Sequence, residues 1–219
     1  MGDKRSTDNS RVAEIAARQH GVVTLRQVED AGLGRGGVSK RVASGRLHRI
    51  HRGVYAVGHR GLNLHGHFMA AVLACGDGAV LSHGSAAVLW ELLRPLDGPI
   101  HVSVPTNSAR RSRPGLHVHR CPSLQSPPPE EPSSSPSNSQ QEGGRGGRLT
   151  TTRHRIPVTT IQRTIEDLKA SKPPFPPHLL RRAKRQAEMK GVHLAGVEPR
   201  RSRSDLEDAF FELWRRLRS

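Results

Sequence analysis

The chain has 219 residues and a formal charge of +16, with only 34% of its residues hydrophobic and 3% aromatic. That length allows one or two domains, and that charge favours polyanionic partners: DNA, RNA or anionic lipid. No apolar run is long enough to span a bilayer, the first residues lack the apolar core of a secretory signal, and two cysteines make no disulfide framework; a reducing cytoplasm is the expected setting.

In chain order, residues 9–19 place Val12, Ile15 and Ala16 at helical spacing, and Gly21 ends that helix. Thr24 and Gln27 have the spacing of a capping box opening a second helix, whose inner stripe is Leu25, Val28 and Ala31. Gly32, Gly34, Gly36 and Gly37 mark a tight turn, and Val38 and Val42, four apart, are expected on the inner face of a third helix. Leu47, Ile50, Val54 and Val57 supply the apolar points of two strands, turned at His51-Arg52-Gly53. Three short helices and a hairpin make a winged helix-turn-helix.

Between positions 31 and 76 stand seven Lys or Arg, five His and no Asp or Glu. Ordinary surfaces mix both signs, so this stretch reads as a duplex-binding edge. Arg35, Ser39 and Lys40, early in the third helix, are expected near base edges; Arg41, Arg46, Arg49 and Arg52 complete the set, with the hairpin arginines on phosphate. The bland alternative is a solvated basic face.

The segments GVVTLRQVEDAGLGRGGVSKRVASGRLHRIHRGVYAVG, LSHGSAAVLWELL and IPVTTIQRTIEDL resemble proteins with an AbiEi-type antitoxin winged helix at the N-terminus. In related proteins a middle domain and a DUF559 domain, similar to very-short-patch-repair endonucleases, follow. The resemblance implies DNA binding, transcriptional regulation and, in the antitoxin branch, a nucleotidyltransferase-like toxin as partner; in the other branch it implies a Mg²⁺-dependent nuclease.

Further on, 68–75 reads as a buried helix, 79–81 as a short strand, 84–93 as a helix with Trp90 in its core, and 100–104 and 116–120 as half-buried strands. His117 and His119 share a strand face, and His65 and His67 repeat that spacing. A zinc site needs three or four ligands, so no metal is assigned. Arg110, Arg111, Arg113 and Arg120 form a second basic cluster; the segment ARRSRPG between the two strands reads as an exposed loop that could touch DNA backbone or simply solubilise.

From 122 to 147, 17 of 26 positions are Pro, Ser or Gly, which predicts a disordered linker over 122–152. A strand at 156–158, a helix at 159–170 and a basic, thinly apolar helix at 179–190 follow. Ser204 and Glu207 open a last helix with an apolar stripe from Leu206 to Leu217, resembling the start of the DUF559 domain. Glu207 is at most a helper acid; the nuclease hairpin lies beyond this sequence, and the acid–lysine pairs at Asp167 and Glu188 are read as chance matches within helices.

The expected organisation is α+β: a winged-helix domain at 8–58, a middle α/β domain at 59–121 plus 153–170, the linker, and helices at 177–219. The expected function is DNA-binding regulation. The alternatives are an inactive nuclease relative, or a protein-interaction module that dimerises or holds a toxin.

Overall fold

The computed structural model describes residues 3–124, 149–192 and 194. The linker positions 125–148 and the last expected helix with Glu207 lie outside the described residues. Among those described, seven helices and two sheets give an α+β architecture.

The N-terminal head runs α1 (Asp3–Arg18), β1 (Val22–Thr24), α2 (Leu25–Asp30), α3 (Arg35–Ala43), β2 (Leu47–His51) and β3 (Val54–Val57). The capping box forms: Gln27 N–H donates to Thr24 Oγ1 at 3.2 Å, and Thr24 N–H donates to Gln27 Oε1 at 2.9 Å. These bonds satisfy amides the first helical turn leaves orphaned. The turn before α3 is shorter than expected. Gly32, at φ +99°, reverses the chain, whereas Gly36 and Gly37 already lie in the first turn of α3. Arg52-Gly53 alone makes the hairpin turn, since His51 pairs with Val54.

Val12, Ala16, Val23, Val28, Ala31, Leu33, Val38 and Leu47 form the head's core. Val42 does not join it and is 41% exposed. Helix α3 packs against α2 and β2, and the head's core takes Leu47, just past Gly45, rather than Val42. Strand β1 escaped the sequence reading because Val22 and Val23 are both fully buried, and three residues are too few to show alternation.

The head's sheet, ordered β1-β3-β2, is covered on both faces. Val23, Tyr55, Val57 and Leu47 face the helices α1–α3. On the opposite face Val22 and Val54 belong to the larger core, with Ile50 packed beside them. Helix α4 (Leu64–Cys75) lies against that face. It approaches closely because Gly66 has no side chain: a Cβ there would sit 2.9 Å from the His20 carbonyl oxygen.

The larger core is built on β4 (Val80–Leu81), β5 (Ile100–Pro105), β6 (Leu116–Cys121), β7 (Thr150–Arg153) and β8 (Ile156–Thr159), ordered β6-β5-β4-β8-β7. Pairs β5–β6 and β4–β8 are parallel; β4–β5 and β7–β8 are antiparallel. Strand β7 corrects the linker's expected end, since residues 150–152 pair with β8. Its threonines suit an edge strand but carry no apolar alternation. The strands flanking the linker region do not meet: β6 and β7 are opposite edges of the sheet.

Helices α5 (His83–Leu89), α6 (Ile161–Lys169) and α7 (Pro177–Met189) complete the described fold. The expected solvated character of α7 is half right. Its arginines 181, 182 and 185 are exposed, but Ala183 and Ala187 are fully buried and Leu179 and Leu180 pack on the larger core. Alanines let α7 come close to α6, which is why its apolar side looks thin in sequence. Trp90 is only half-buried: its indole N–H donates to the Thr159 carbonyl at 2.8 Å, and the Arg153 guanidinium stands 5.0 Å from its ring centre.

Candidate nucleic-acid interface

The head leaves one side of α3 and the hairpin uncovered, and the singled-out residues are placed there as follows. Lys40, Arg41 and Arg46 come together, lining one hollow with Asn9, Gly37 and Ser44. Lys40 and Arg46 are exposed. Arg41 is held: its Nη2 and Nε donate to Asn9 Oδ1 at 2.7 and 3.2 Å, and its Nη1 to the Gly37 carbonyl at 3.2 Å. Its charge is therefore fixed at the rim, while Lys40 and Arg46 remain free to reach. Asn9 carries no sequence signal for this role, because the partner it fixes lies two helices away.

Arg35 begins α3 at the other end, with its side chain 88% exposed, and pairs with Glu29 on α2 at 3.4 Å. The edge is thus acid-free along the chain but not in space. Ser39 turns back on its own helix, donating to the Arg35 carbonyl at 3.2 Å. Arg49 and Arg52 are exposed on the hairpin. Arg49 is opposite Tyr55, so alternation puts it on the α3 side of the sheet; Arg52 is at the tip.

The histidines divide differently from their spacing. His65 and His67 lie on α4, where two residues turn the side chain by roughly 200°, so they do not share a face. His65 instead stacks on His154, with ring centres 4.8 Å apart. His117 and His119 do share a side, with ring centres 4.5 Å apart, and they join two histidines that spacing did not connect to them. His101 Nδ1 lies 2.9 Å from His119 Nε2, and His83 stacks on His119 at 3.7 Å. The parallel β5–β6 register, His101 opposite His117, makes the cluster. Burial, then the neighbouring imidazoles, pushes His83 down to about 3 and His119 to about 4, and lowers His101 as well. All three are neutral near pH 7. Among the described residues no group of three or more His, Cys, Asp or Glu is arranged to hold a metal ion.

Asp167, one of the two acid–lysine matches, is enclosed on α6. Its Oδ1 accepts from Arg163 Nε at 2.7 Å, and Arg163 Nη2 lies 3.4 Å from Cys121 Sγ. Burial raises the Asp167 carboxyl above its ordinary range against the pull of Arg163. Its surroundings are those of a structural ion pair. Glu188 is exposed on α7.

No described helix is long and apolar enough to cross a membrane. No curated protein matches the chain. One solved structure, of the RV2827C protein from Mycobacterium tuberculosis, aligns with 83% of this chain and 71% of its own, at 18% identity and a TM-score of 0.41. Residues 10–58 match the family model described as transcriptional regulator, AbiEi antitoxin, which takes in α2, α3 and the hairpin whole; over this head the chain is similar to antitoxin transcriptional regulators.

Proposed function

We propose that the chain is a DNA-binding transcriptional regulator of the antitoxin kind, acting in the cytoplasm. The observation that carries this reading is the hollow on α3, where Lys40 and Arg46 stand free beside a fixed Arg41. In this reading α3 enters the major groove, Arg35 and Lys40 reach base edges, and Arg46, Arg49 and Arg52 neutralise phosphate. Ser39, bonded to its own helix, reaches a base only by giving up that bond. Double-stranded DNA is the first partner; a nucleotidyltransferase-like toxin and a second copy of the chain are the protein partners that go with the reading, and it needs no cofactor. The nuclease alternative rests on Glu207, which lies outside the described residues.

The test is selection of a randomised duplex pool by the full chain, followed by salt titration on an enriched duplex. Enrichment of one sequence family is expected. Arg49→Ala is expected to weaken all duplexes alike and to flatten the slope of log K against log salt by about 0.9, one phosphate's worth. A pool that stays random, with no salt-dependent retention, would sink the proposal.

A further inference from the structure

The larger core presents a second cationic element, near the end of α4. Residues 106–115, between β5 and β6, carry Arg110, Arg111 and Arg113 and no carboxylate. The loop is tied down at several points. Ser108 N–H donates to the Pro105 carbonyl at 3.0 Å, Ser112 Oγ accepts from Val118 N–H at 2.9 Å, and Arg113 and Leu116 exchange both backbone bonds at 2.9 Å.

The loop reaches the end of α4, the helix that backs the head's sheet, where Arg110 stands beside Gly76. Burial, with the Arg113 charge adding to it, lowers the His51 imidazole at the end of β2. His51 pairs with Val54, whose side chain belongs to the α4 side of the hairpin. The loop therefore lies on the α4 side of the head's sheet, opposite α3. Arg110 lies over the end of α4, its Nη2 3.7 Å from where a Cβ on Gly76 would be.

These charges are uncompensated. Among the described residues none of the three arginines has an ion-pair partner. Arg113 Nη2 is enclosed with no acceptor. The neighbouring acid Asp77 is exposed and makes no ion pair with them. A loop tied by its own hydrogen bonds and holding Arg110 and Arg111 exposed suits a rod of regularly spaced phosphates better than it suits water alone. Duplex DNA carries one charge per roughly 1.7 Å of axis, so contact continued beyond the head meets phosphate at once.

We propose that the β5–β6 loop is a second phosphate-binding surface, which takes the sugar–phosphate backbone of the same duplex beyond the head. Arg110 and Arg111 make the contacts, and Arg113 closes the base of the loop through its two backbone bonds to Leu116. The inference rests on the head binding duplex DNA, as proposed above. It adds that the larger core contributes to affinity without contributing sequence discrimination.

The test compares the full chain with an Arg110→Ala/Arg111→Ala variant by fluorescence anisotropy, on a selected and a random duplex across a salt series. The variant is expected to flatten the salt slope by about 1.8, two phosphates' worth, on both duplexes, and to leave their affinity ratio unchanged. An Arg110→Lys/Arg111→Lys variant, keeping the charges, is expected to restore the slope, which a merely structural role does not require. An unchanged slope in the alanine variant, while Arg49→Ala still flattens it, overturns the loop's role and leaves the head's reading standing. Absence of duplex binding by the unaltered chain overturns both.

Discussion

The head and the larger core solve the same problem with unequal means. The head buries eight hydrophobic residues of modest size between three short helices and one face of its sheet. The larger core includes whole apolar stretches, with Leu81, Leu92, Leu116, Ile156, Ile165 and Leu168 nearly inaccessible to water. A core so small is marginal by itself, because ordering entropy consumes most of what its burial contributes. The head escapes this by lending the other face of its sheet to its neighbour: Val22 and Val54 are counted in the larger core. The difference teaches that the basic side of α3 is held in place from behind, by α4, while its front stays free of packing.

Weakening the larger core from within is the most severe test of that dependence. Leu81→Ala, in the strand at the centre of the larger sheet, is expected to cost about 2–5 kcal/mol through lost burial and the cavity left behind. If the two regions unfold together, urea melts followed by far-ultraviolet dichroism and by loss of duplex binding shift by the same amount. Binding that survives past the melting of the larger sheet shows that the head stands alone, and the argument from Val22 and Val54 then falls.

Acid sharpens the contrast next. The folded values of His83, His101 and His119 are depressed below the ordinary imidazole value. The unfolded chain therefore binds protons first as pH falls through about 6.5, and stability is lost from there downward until the folded values are reached. Above about pH 6.5 these groups contribute no pH dependence. The ceiling is about 1.4 kcal/mol per pH unit for each imidazole, and half-buried His119 gives less because water screens it. The urea midpoint is expected to fall between pH 7 and pH 4, and His119→Gln to flatten that fall. A midpoint level across this interval would contradict the neutral, stacked cluster.

What was legible in the sequence follows the range of the interaction behind each feature. Thr24 and Gln27 cap α2 across three residues, and the sequence shows it. The buried helix α4 announces itself in an unbroken apolar run. Val42 stands at helical spacing from Val38, yet the core there is completed from outside the helix, by Leu47 on β2, which periodicity within α3 does not contain. The edge strand β7 has polar side chains and takes its identity only from β8. The histidine cluster required knowing that β5 and β6 run parallel, a pairing made across an intervening loop. Of the proposed contacts, Lys40, Arg41 and Arg46 line one hollow, while the hold of Asn9 on Arg41 and of Glu29 on Arg35 comes from other helices and has no local signal.

That last pair supplies the gentlest perturbation. The Arg35–Glu29 contact is 3.4 Å long and largely exposed, so its removal is expected to change stability by no more than about 1 kcal/mol. Its effect on binding has the opposite sign. Glu29→Gln removes the one acid paired at the start of α3 and releases Arg35 toward a duplex, so affinity is expected to rise by roughly two- to five-fold at low salt. The gain should fade as the Debye length shrinks from about 30 Å at 0.01 M to about 8 Å at 0.15 M. Anisotropy titrations at both ionic strengths read it directly. A gain that persists at high salt indicates that Arg35 has made a close contact with the duplex, whereas no gain at either places Arg35 away from it and leaves the three-residue hollow to do the recognising.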